Sequence, residues 1–89
     1  MKFSNREKLL IAFMKKRAGQ EFALDELIKD VKKYIPVKPA NFRQSIVYSM
    51  RKLKEKLSVF GIDLETVSPV GRGYKAIYKI SERISTFIL

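Results

Sequence analysis

The 89-residue chain contains neither cysteine nor histidine. Without cysteine there is no disulfide, no thiolate nucleophile and no Cys-type zinc site. Without histidine the commonest metal ligand and the usual general base are missing. Ser45, Ser49 and Ser58 therefore have no histidine to activate a hydroxyl. No catalytic constellation emerges, and neither an enzyme nor a cofactor or metal site is expected. Asp25, Glu26 and Asp30 lack convergent partner ligands, and electrostatics at a helix start accounts for the first two. No apolar run approaches membrane-spanning length, so no membrane partner is expected. Lys2 is followed by charge-interrupted, helix-like sequence, which is not the pattern of a secretory leader. Repeats and low-complexity stretches are also missing.

Acidic residues are scarce: nine Asp and Glu stand against nineteen Lys and Arg, a formal net charge of +10. The excess is concentrated. Residues 1–20 carry six cations and one acid, and residues 38–61 again carry six and one, whereas 21–37 carry three and four. Such clustering fits a polyanionic partner better than a general need for solubility. A chain of this length makes one small domain, able to bury roughly 60% of the surface it exposes when unfolded.

Ser4-Asn5-Arg6-Glu7 has the capping-box form, with Phe3 placed to act as a staple. The helix it starts is expected to bury Leu9, Leu10, Phe13 and Met14 and to end at Ala18-Gly19, after Lys15, Lys16 and Arg17. Glu21-Phe22-Ala23 reads as a short strand. A second helix follows over about Leu24 to Tyr34, with Leu24, Leu27, Ile28, Val31 and Ile35 on one face. Pro36 and Pro39 break it. Pro39 then suits the first position of a third helix spanning 39–60, whose core stripe is Phe42, Ile46, Met50, Leu53, Leu57 and Phe60. About twenty-two residues would make it roughly 33 Å long. Gly61 is its natural stop. Residues 63–68 and 74–80 read as a hairpin, joined by Pro69-Val70-Gly71-Arg72-Gly73. That glycine pair lacks the spacing and the lysine of a nucleotide loop. The tail, 81–89, places Ile80, Ile84, Phe87 and Ile88 at helical spacing. It would dock on the first helix or else mate with a second copy in a homodimer.

The outward face of the third helix carries Gln44, Val47, Tyr48 and Arg51, flanked by Arg43, Lys52 and Lys54. A helix entering a major groove needs amide and guanidinium groups for base edges and cations for phosphates. Gln44 would pair with adenine, Arg51 with guanine, and Val47 would meet a thymine methyl. Tyr48 would reach a phosphate or a sugar. An ordinary solvated helix face is the plain alternative. It usually mixes charge signs to gain i,i+4 pairs, whereas here Glu55 is the single acid among Arg51, Lys52, Lys54 and Lys56. Arg72, between glycines at the hairpin tip, would enter a minor groove or bind phosphate; alone it reads as a solvated turn arginine. A groove-entering helix followed by a backbone-touching hairpin describes a winged helix-turn-helix: α+β, a three-helix core with a two- or three-strand wing over residues 1–80.

Ser45 to Leu57, Glu65-Thr66-Val67 and Gly71 to Tyr74 together resemble the DNA-binding domain of OmpR/PhoB-type transcriptional regulators. Arg51-Lys52-Leu53-Lys54 matches that family's basic run, and Thr66-Val67 and Gly73-Tyr74 match the two ends of its hairpin. The likeness covers roughly residues 20–80. It implies DNA contacts by Arg51, Lys52 and Lys54, a backbone contact by Thr66 and a hairpin role for Tyr74. Ser68 stands where the family usually has its wing arginine, and the loop is two residues longer, with Arg72 the candidate replacement. The family's preceding strands and receiver domain have no counterpart in this sequence. The expected function is sequence-specific double-stranded DNA binding by a small cytoplasmic transcriptional regulator, nucleoid-associated in a prokaryotic or viral setting. Lys8, Lys15 or Lys16 would add phosphate contacts. Two rivals are a winged helix that docks an acidic protein and a basic RNA- or ribosome-associated module. Single-strand readers expose stacking aromatics, and Tyr48 is the one clear candidate on this helix face.

Overall fold

The first helix begins where Ser4 caps it. In the computed structural model, which describes residues 2–35, 40–68 and 76–88, α1 runs Asn5–Lys15. The Ser4 hydroxyl accepts from the Glu7 amide at 3.2 Å, and the Glu7 carboxylate accepts from the Ser4 amide at 2.8 Å, completing the capping box. The helix ends four residues before Gly19, whose φ of +74° only glycine adopts cheaply. The Gly19 amide then donates to the Ile80 carbonyl at 2.8 Å and ties the turn to the sheet.

Strand β1, Glu21–Ala23, leads directly into α2, Leu24–Lys32. No side chain caps α2; the Leu24 amide is satisfied by the Ala76 carbonyl at 2.9 Å, so the sheet itself starts the helix. Helix α3 runs Phe42–Val59, eighteen residues and therefore about 27 Å long. It is shorter than the 39–60 span expected: Ala40 and Asn41 form a turn, and Pro39 lies outside the described residues. At its far end the Ile62 amide donates to the Leu57 carbonyl and the Gly61 amide to the Ser58 carbonyl, with Gly61 at φ +74°. This Schellman arrangement satisfies carbonyls the helix would leave open, and it turns buried Ile62 back onto the core.

Strands β2, Leu64–Ser68, and β3, Ile77–Ile80, complete a three-stranded antiparallel sheet of order β1-β3-β2. Both are shorter than the 63–68 and 74–80 spans expected, and residues 69–75 lie outside the described residues. Phe22 pairs with Tyr78 across β1–β3, and Thr66 and Leu64 pair with Tyr78 and Ile80 across β2–β3. The register slips between Thr66 and Ser68, a bulge that bends the strand where it leaves the core. On the opposite face Lys79 sits between Glu21 and Glu65, a favourable cross-strand charge order.

The core gathers Leu10, Ile11 and Met14 of α1, Leu24, Leu27 and Val31 of α2, Ile46, Met50, Leu53 and Leu57 of α3, and Leu64, Tyr78 and Ile80 of the sheet. Each such side chain, fully buried, contributes roughly 1.5–3 kcal/mol of transfer free energy. Several expected core positions differ: Ile28, Ile35 and Phe42 are half-buried at the edge of the core. Leu9 and Phe13 are half-buried, and Ile11 takes the central place on α1. Phe60 is 48% exposed, because it lies beyond the end of α3 where the chain has already turned. It packs instead on Phe87 and Phe3, with ring centroids 5.2 and 6.3 Å away. Phe3 thus joins this aromatic cluster. The tail forms a short 3₁₀ helix, Glu82–Thr86, rather than an α-helix. It docks against α1 with Ile84 buried and Phe87 half-buried, while Ile88 is exposed.

Candidate functional site

Helix α3 lies between α1 on one side and β2 on the other, so its polar residues divide into two flanks with an exposed ridge between. On the β2 flank Val47, Arg51 and Lys54 line a cleft of about 130 Å³ together with Thr66 and Tyr78. Thr66 pairs directly with Tyr78, which puts its side chain on the sheet face that turns toward α3. Tyr78 is buried at the floor of this cleft. Burial raises the phenol above the ordinary tyrosine value, while the positive charges of Arg51 and Arg43 oppose that rise. Both guanidinium groups are thus close enough to act on the phenol. The result is a cationic edge on α3 beside a hydroxyl-bearing strand.

On the α1 flank a recess of about 570 Å³ is lined by Tyr48 and Lys52 of α3, by Lys2 and Arg6, and by Glu7 and Lys56. Glu7 is buried, and its Oε1 accepts from Lys56 Nζ at 2.7 Å as well as from the Ser4 amide. Burial pushes this carboxyl up, but the hydrogen bonds from Lys56 and Ser4 and the Lys56 charge outweigh it and hold it below the usual glutamate value. Lys56 also donates to the Lys2 carbonyl at 3.1 Å, so it is spent on joining α3 to the start of α1. The Arg6 guanidinium donates to the Ser45 hydroxyl. Lys52 Nζ stands 4.7 Å from the centre of the Tyr48 ring, and Tyr48 remains 60% exposed.

The expected site residues therefore do not form one group. Arg51, Lys54, Val47 and Thr66 come together at the cleft; Tyr48 and Lys52 belong to the opposite recess. Gln44 is exposed on the ridge between them, and Val47 is half-buried against the core. Arg43 is engaged in an ion pair with Asp25, which links the first turns of α3 and α2. Arg72 and Tyr74 lie outside the described residues. Lys8 on α1 and Lys16 just after it are exposed, Lys16 with its ammonium 4.9 Å from the centre of the Phe13 ring. Sequence reasoning missed Tyr78, Arg6 and Lys2. The first is hidden in the plain alternation of a strand, and the other two reach the site only through the packing of α1 on α3.

Among the described residues no group of three or more acidic side chains is placed to hold a metal ion, and no helix is long and apolar enough to cross a membrane. No family model, no curated protein and no solved structure matches this chain.

Proposed function

We propose that the chain binds double-stranded DNA as a winged helix-turn-helix module and acts as a small transcriptional regulator. The observation that carries this reading is the β2 flank of α3, where Arg51 and Lys54 stand beside Thr66, with Gln44 exposed two helical turns before Arg51. A helix with its side chains is 10–12 Å across, and the major groove of B-form DNA is about 12 Å wide. With α3 in the groove, Arg51 is the residue for a guanine edge and Gln44 for an adenine edge, and the Val47 methyls border a thymine methyl. Lys54 and Thr66 meet the phosphates of the adjoining strand, Lys54 by charge and Thr66 by its hydroxyl. Arg43 is paired with Asp25 of α2, so its contact with a phosphate requires that exposed pair to open. The likeness of the basic run and the strand motif to OmpR/PhoB-type regulators supports the same reading.

Selection of bound oligonucleotides from a random duplex pool tests it, run in parallel for the parent and for Arg51→Ala. The parent should enrich a short defined site, and the variant should lose preference at one position at a cost of about 1–3 kcal/mol there. A pool that stays random after selection with the parent would remove the sequence-specific reading.

A further inference from the structure

The α1 flank offers chemistry that duplex reading does not use. We infer that the recess between α1 and α3 is a second nucleic-acid site, which takes a nucleotide of an unpaired strand with its base on Tyr48 and its phosphate on Arg6 and Lys52. Four observations support this. First, Tyr48 is a large ring left 60% exposed at the edge of a recess rather than folded into the core. Second, the recess holds four cations against one acid, and Glu7 engages Lys56. Among the described residues Lys2, Arg6 and Lys52 carry no carboxylate partner, and Arg6, which gives one donor to Ser45, keeps its other guanidinium donors for an anion. Third, the volume of about 570 Å³ falls in the 300–1,000 Å³ range of small-molecule sites and fits one nucleotide. Fourth, the walls are held in place: the capping box fixes the start of α1, and the Glu7–Lys56 pair and the Arg6–Ser45 bond clamp it to α3.

The partner must be unpaired because both faces of a base inside a duplex are covered by its neighbours. Only a free or splayed base presents a face to an aromatic ring. Sequence-tolerant binding of single strands combines such stacking with cations that follow the backbone. Lys52 Nζ now stands over the Tyr48 ring; on binding it would yield that face to the base and turn to the phosphate. This site is distinct from the cleft formed by Arg51, Lys54 and Thr66, and it does not depend on the duplex reading.

The test measures fluorescence anisotropy of the full chain with labelled octathymidylate and, separately, with a short labelled duplex. Thymidine 5′-monophosphate and inorganic phosphate serve as competitors. Tyr48→Ala should weaken the single strand about tenfold, as expected for losing one stacked base, and weaken the duplex far less. Tyr48→Phe, which keeps the ring, should bind like the parent. Lys52→Ala should weaken the single strand as well. Competition by the monophosphate assigns the site to free nucleotides too, whereas its failure beside retained strand binding assigns it to strands alone. The inference is overturned if Tyr48→Ala binds the single strand like the parent in a protein whose melting temperature is unchanged. It is equally overturned if that variant loses duplex and single strand alike, or if inorganic phosphate competes as well as the nucleotide. Loss of duplex binding in the parent would sink the duplex reading and leave this result standing.

Discussion

At the scale of single residues, two side chains decide how the basic surface is organised. Glu7 removes Lys56 from the pool of free cations and uses it to fasten α3 to α1. Arg43 is likewise taken up by Asp25. The cations left for a partner are therefore fewer than a sequence count suggests, and they sit in defined places. The Glu7 carboxyl, held below its usual value, contributes stability that is fully present above the pH at which an unfolded glutamate titrates, and that is lost as pH falls through the lowered folded value. Replacing it with glutamine leaves Lys56 without its charged partner and should cost about 1–3 kcal/mol at neutral pH. Thermal melts of the parent and Glu7→Gln from neutral to acidic pH check this. The gap in melting temperature should shrink as the solution is acidified, because the protonated parent comes to resemble the variant. A gap that is constant across the range would mean that the pair adds nothing to stability.

At the scale of elements, local signals and packing make separate contributions. The capping box of α1 and the glycine that ends α3 were legible from short stretches of chain, because each is satisfied by neighbours in sequence. The length of α3 was misjudged at both ends. Pro39 suits a helix start, yet the helical bonds begin at Phe42. Phe60 continues the apolar spacing, yet it follows the last helical residue and turns outward to Phe87. Helical spacing alone groups Gln44, Val47, Tyr48 and Arg51 on one face. The division of that face into two flanks arises from α1 packing on one side and β2 on the other, which no local pattern records. The end of α3 also yields a prediction. Gly61 holds a positive φ, and a Cβ there would come 3.0 Å from the Arg83 guanidinium, the far end of a long side chain. Gly61→Ala should therefore destabilise by about 1–2 kcal/mol from backbone strain, with little steric addition. Urea unfolding measures it, and an unchanged midpoint would mean that the chain escapes the left-handed turn.

At the scale of the whole molecule, folding brings the two basic segments of the sequence, 1–20 and 38–61, side by side through α1 and α3, while Asp63, Glu65 and Glu82 gather around another recess with Lys79 and Gly19. The molecule is thus polarised, and a polyanion would be steered toward α3 as well as bound there. Helix α3 is about 27 Å long, against a longest molecular extent of 33 Å. The central claim is that this helix and β2 hold a DNA duplex by several phosphates at once. The most direct measurement is duplex affinity against salt concentration, for the parent and for Lys54→Ala. Among the described residues the unpaired cations of α3 are Arg51, Lys52 and Lys54. They would neutralise about three phosphates and give a log–log slope of about −3 for the parent, and the variant should be shallower by about one. A flat titration, or a slope that Lys54→Ala leaves untouched, would contradict the account.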